Sequence, residues 1–134
     1  MDPKNVMDAA WLGSCLLEAG RERDALLVLE AAEESANEVS KSRALLWNQL
    51  GICYKRLGSF VKAGAYFLKA SDVDANKNSL TLLAACQLHF FPQGALLHAD
   101  KALAIDPNWD EARDVRKQAL EILGRTEPDE PPSD

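Results

Sequence analysis

The sequence predicts an all-α fold, a solenoid of stacked helical hairpins, and three observations predict it. Leu and Ala dominate the 134 residues while β-branched residues are sparse, which favours helix over sheet. Short strings answer one another along the chain: LGSC at 12–15, LGIC at 50–53 and LAAC at 83–86. Each lies in a helix-like stretch that is followed by a second one. The six Pro fall mostly at predicted helix ends and in the C-terminal tail, where they punctuate the helices.

The first hairpin carries Leu12, Gly13 and Leu16 on one helix, Gly20 in the turn, and Ala25, Leu29 and Ala32 on the second. The middle copy repeats these roles with Trp47, Leu50, Gly51 and Tyr54, then Gly58, then Ala63, Phe67 and Ala70. Gly51 and Ala63 are small where two helices must approach to about 8–10 Å, and the large residues fill the space on either side. Gly58 stands where a helix C-terminus wants a left-handed residue. Gly51 follows Gly13 by 38 residues, and the surplus over a 34-residue period is placed in Glu33–Lys41, as a lengthening of the second helix. The third copy has Leu80, Leu83 and Ala84, then Ala95, Ala99, Ala102 and Pro107. Its turn reads Phe90-Phe91-Pro92 in place of a Gly and is one residue shorter. A final helix over 109–123, closed by Gly124, puts Arg113, Arg116 and Lys117 where a further repeat would want Trp, Leu and Gly. Its apolar stripe of Ala112, Val115, Ala119, Ile122 and Leu123 opposes a charged face, as a capping helix requires.

The Trp, Leu-Gly, Tyr, Ala, Phe spacing of the middle copy resembles the tetratricopeptide repeat (TPR) family. The resemblance implies repeats over about 6–41, 44–76 and 77–108 within a domain of residues 1–124. It also implies a concave face lined by the first helix of each hairpin. On that register the face takes Met7, Ala10, Ser14 and Leu17, then Leu45, Asn48, Ile52 and Lys55, then Asn78, Thr81, Ala85, Leu88 and His89. Aliphatic patches among a few amides and one or two cations suit a helix or an extended segment with apolar anchors. The clamp that holds acidic heat-shock chaperone tails is not expected, because its positions read Ala10, Ser14, Gln49, Asn78 and Leu82. More loosely, the chain is similar to small acidic three-repeat chaperones of type III secretion, without their long N-terminal helical extension.

Chemistry finds little support in the residues. His89 and His98 fall on different helices, and no GxSxG, HExxH or phosphate-binding Gly loop occurs, so no enzyme activity and no cofactor are expected. Cys15, Cys53 and Cys86 recur at one repeat position, too far apart for a shared metal, and read as small core residues. His98 reads as a solvated residue, and the Phe90-Phe91 pair as a plug for the short turn or an apolar rim. A net charge of −6 makes nucleic acid and anionic membranes poor partners. Residues 125–134 are acidic and Pro-rich and read as a disordered tail. With no apolar run of membrane length and an odd Cys count, a cytoplasmic location is expected. Three functions follow: a peptide-binding adaptor or scaffold, a dedicated chaperone for an apolar client, or an oligomerisation module that self-associates.

Overall fold

A computed structural model describes residues 6–35 and 41–125. Those residues form α1 (Val6–Glu18), α2 (Glu22–Ser35), α3 (Lys41–Arg56), α4 (Phe60–Val73), α5 (Lys77–Gln87), α6 (Pro92–Ile105) and α7 (Asp110–Ile122). The expected all-α hairpin fold is the one observed, and the chain divides into two compact units, 1–75 and 76–134. The tail from residue 126 onward lies outside the described residues. So do residues 36–40, within the stretch expected to lengthen the second helix. As described, α2 and α4 are both 14 residues long.

In the first unit α1 packs on α2, α3 on α4, and α3 also lies against both α1 and α2. One core cluster joins them through Ala9, Leu17, Ala25, Leu29, Leu46, Leu50, Cys53 and Ala70. The close approach inferred from Gly51 is real: a Cβ there would sit 2.6 Å from the Phe67 ring. Gly13 faces Leu29 in the same way, at 2.7 Å. Two turns are closed alike. Gly20 N–H donates to Leu17 O and Arg21 N–H to Leu16 O, while Gly58 N–H donates to Lys55 O and Ser59 N–H to Tyr54 O. Those bonds require a left-handed residue, and Gly20 and Gly58 have φ of +75° and +84°.

In the second unit α5 packs on α6, and α7 lies against both. Here the core is built from small residues, with Ala84, Ala95, Ala99, Val115 and Ala119 in one cluster and Leu80, Ala102 and Ala112 in another. The α5–α6 turn has no left-handed residue; Phe91 N–H instead returns to Gln87 O at 2.6 Å. Phe91 is half exposed, and its ring covers the bare backbone of Gly94, where a Cβ would collide with it. The ring therefore plugs the short turn from outside. Arg116, expected only to charge the outer face of α7, pairs with Asp100 of α6 at 2.8 Å. Lys77 likewise ties the start of α5 to Asp106 at 2.8 Å and lies 4.2 Å from the Trp109 ring centroid.

Candidate functional site

The residues expected on the concave face are shared between the two units. In the first unit, α1 contributes Met7, which is 51% exposed, and half-buried Ser14. Ala10 and Leu17 lie inside instead, each less than a tenth exposed, because they sit on the flank of α1 that turns toward its neighbours. Neighbouring α3 contributes Leu45, 39% exposed, with Asn48, Ile52 and Lys55 half buried. Ile52 leans on the core cluster. Arg56, which the repeat register did not select, closes the end of this face: its guanidinium donates to Leu17 O at 2.7 Å and lies 3.7 Å from Glu22.

In the second unit, Asn78 of α5 and His89 of the following turn are exposed, while Ala85 and the α5 C-terminal Leu88 are half buried against the core. Thr81 is buried, its hydroxyl donating to Lys77 O at 2.6 Å within the helix.

Two further sequence readings need correction. Cys53 and Cys86 are buried, but Cys15 is exposed. Cys53 is covered because α3 packs on α1 and α2; no described element covers the equivalent side of α1. His98 is not simply solvated either. Its Nδ1 lies 2.8 Å from both Gln87 Oε1 and Gly94 O, two acceptors, so Nδ1 carries the proton in that bond.

A second cluster of the first unit gathers around two signature residues, Tyr54 and Trp47, through contacts that the repeat spacing did not predict. The Tyr54 and Tyr66 rings stack at 5.6 Å, with Lys62 over one and Lys69 over the other. Lys69 and Arg43 also approach the Trp47 ring, at 6.0 and 5.2 Å. Tyr54 donates to Glu30 at 2.5 Å, and this bond to a carboxylate raises the Tyr54 hydroxyl above its ordinary range. Burial and the nearby Glu33 push Tyr66 up to about 12, and burial pushes the Cys53 thiol up to about 11. These groups stay neutral and hold α2, α3 and α4 together. Among the described residues no three His, Cys, Asp or Glu side chains gather as metal ligands would.

No protein-family model and no curated protein sequence matches this chain. Solved structures do. The chain is similar to the MamA protein, with a TM-score of 0.81 and 20% identity over 92% of this chain and 66% of that one. It is also similar to the C-terminal TPR-containing domain of a Plasmodium falciparum FK506-binding protein. There the TM-score is 0.78 and the identity 18%, covering 91% of this chain and 90% of that one. The chain has the tetratricopeptide-repeat fold. A third tetratricopeptide structure, the Cut9–Hcn1 hetero-tetramer of the APC/C, matches with a TM-score of 0.75 and 26% identity over 84% of this chain. The chain spans 22% of that match's length and 66% of MamA's. No helix among the described residues is long and apolar enough to cross a membrane.

Proposed function

We propose that this chain is a non-catalytic adaptor that holds a segment of a partner protein, with the α1–α3 face of the first unit as a principal contact surface. The observation that carries the reading is the composition of that face. Met7 and Leu45 offer apolar side chains to solvent, and α3 also carries half-buried Asn48 one turn after Leu45 and half-buried Lys55 in its last turn. Apolar anchors with an amide one turn away and an ammonium at the far end of the helix suit an extended segment bearing apolar side chains and carbonyl or carboxylate groups. The same exposed Met7 and Leu45 favour a second reading, a chaperone that shields an apolar client. A partner assembly appears in the name of one structural neighbour, the Cut9–Hcn1 hetero-tetramer, which supports the scaffold class.

Leu45→Arg is a cleaner probe than Ile52→Arg, because Ile52 also supports the core. Affinity capture with wild-type and Leu45→Arg protein, followed by titration of each captured partner, tests the reading. A partner whose affinity drops at least tenfold with Leu45→Arg, at unchanged helical circular dichroism, is expected. Equal affinity for both proteins rejects this face as the contact surface. A partner that aggregates unless the wild-type chain is present selects the chaperone reading.

A further inference from the structure

Charge is unevenly spread along this chain. Residues 39–71 hold six Lys or Arg and no Asp or Glu, so with a net charge of −6 the remaining residues carry −12. The basic stretch contains α3 and α4. Two of its cations are held within the first unit, Arg43 by Glu33 O and Arg56 by Leu17 O, and Lys55 belongs to the α1–α3 face. Lys62 and Lys69 serve neither end. Both are exposed on α4, and among the described residues no carboxylate pairs with either.

Aromatic rings hold these two ammonium groups. Lys62 lies 5.4 Å from the Tyr54 ring centroid, and Lys69 lies 5.2 Å from that of Tyr66 and 6.0 Å from that of Trp47. A ring face attracts a cation through its quadrupole without cancelling the charge, so both ammoniums remain open to an anion. Glu30 and Glu33 are occupied by the tyrosine hydroxyls, Glu30 with Tyr54 and Glu33 with Tyr66. Lys62, Tyr66 and Lys69 share one side of α4, with the lysines two turns, about 10 Å, apart along the axis. Trp47 and Tyr54 each stand two residues beyond a residue of the α1–α3 face, Leu45 and Ile52, and therefore on the opposite side of α3.

We propose that Lys62 and Lys69, with the stacked Tyr54 and Tyr66, form a second docking surface whose occupant is a short acidic segment of a partner protein. Charge complementarity selects that class. In a polyproline-II conformation, side chains three residues apart share one edge at about 9 Å, close to the spacing of the two lysines. Two carboxylates so placed reach both ammoniums, and each bond is charge-assisted. Half-buried Tyr54 and Tyr66 add ring surface for the apolar parts of the same segment. The −12 carried by the rest of the chain repels a long polyanion such as nucleic acid, while a segment spanning two turns of α4 meets the basic hairpin alone. This surface goes beyond the α1–α3 reading and does not depend on it.

Fluorescence anisotropy of a labelled hexaglutamate peptide, titrated with the full chain at low salt, tests the proposal. Binding is expected to weaken at least tenfold in Lys62→Gln/Lys69→Gln. It should stay within about twofold in Lys101→Gln/Lys117→Gln, which removes the same charge from exposed positions of the second unit. All four lysines are exposed, so both double variants keep the helical circular dichroism of the wild type. No binding by the wild type overturns the proposal, and so do equal losses in the two double variants, which would mean that the peptide reads net charge alone. A single-stranded oligonucleotide that binds more tightly than the peptide, and depends as strongly on Lys62 and Lys69, would assign the surface to nucleic acid and refute it. Neutralising Glu127, Asp129, Glu130 and Asp134 as amides supplies the last arm. A tenfold gain in peptide affinity that vanishes in Lys62→Gln/Lys69→Gln would make the chain's own tail the occupant, against a partner protein.

Discussion

At the residue scale, the repeats solve one packing problem with reciprocal sizes. Gly13 faces Leu29 and Gly51 faces Phe67, whereas Ala84 and Ala99 share a cluster in the third hairpin. A bare backbone admits a large partner; a methyl group on one side demands a smaller side chain on the other. Gly51→Ala is therefore expected to destabilise the chain by about 1–3 kcal/mol, since the fully buried Phe67 ring has little room to retreat. Adding Phe67→Leu should recover part of that loss, so the double variant melts higher than the two single effects sum to. Chemical denaturation of all four proteins measures the coupling, and strict additivity would mean the two residues do not meet. The size pattern was legible because it recurs in the letters. The exposure of Cys15 was not: identical letters at one repeat position are covered or bare depending on whether a neighbouring element lies against them. Nor were the bonds from Tyr54 to Glu30 and from His98 to Gln87, which join residues 24 and 11 positions apart by side-chain reach alone.

At the element scale, helix ends were the most readable feature and helix flanks the least. Gly20, Gly58 and Gly124 all take positive φ after α1, α3 and α7, as a C-terminal glycine signal predicts. A Cβ at Gly58 would meet nothing within 4 Å, so the cost of Gly58→Ala is conformational. About 1 kcal/mol is expected, and Gly58→Asn should lose less because Asn tolerates the left-handed region. Comparable midpoints for the Ala and Asn variants would indicate that the turn relaxes instead of holding its φ. The flanks were harder. Ala10, Leu17 and Thr81 project onto the expected face from their spacing, yet all three are buried. A rotation of some tens of degrees about a helix axis separates a groove residue from a core residue, and the 100° step between residues does not resolve it. The Arg116–Asp100 and Lys77–Asp106 pairs were invisible for a related reason, since each depends on how one helix lies against another.

At the scale of the whole molecule, the shifted acids bound the pH range over which the chain is most stable. Cys53, Tyr54 and Tyr66 have pKa values raised in the folded state, by burial for Cys53 and Tyr66 and by the Glu30 hydrogen bond for Tyr54. Each is neutral below its pKa, so its share of the stability is complete below the unfolded value and is lost as pH climbs toward the folded one. For Cys53 that window runs from the ordinary 9.0 to about 11, and for Tyr66 from 10.0 to about 12. Asp106 behaves in the opposite sense. The Lys77 ammonium and the Asn108 N–H hold its carboxyl below 3.8, so its contribution is present above that value and fades in more acidic solution. Thermal melts should accordingly be flat through neutral pH and fall on both sides. The alkaline fall belongs to the first unit, because all three raised groups lie on α3 and α4 there. Tyr54→Phe should flatten part of it, at the cost of the Glu30 bond near neutrality, while Asp106→Asn should leave the alkaline limb untouched and soften only the acid one. An alkaline limb unchanged by Tyr54→Phe and by Cys53→Ala together would mean that the α2–α3–α4 cluster is not what alkaline pH dissolves.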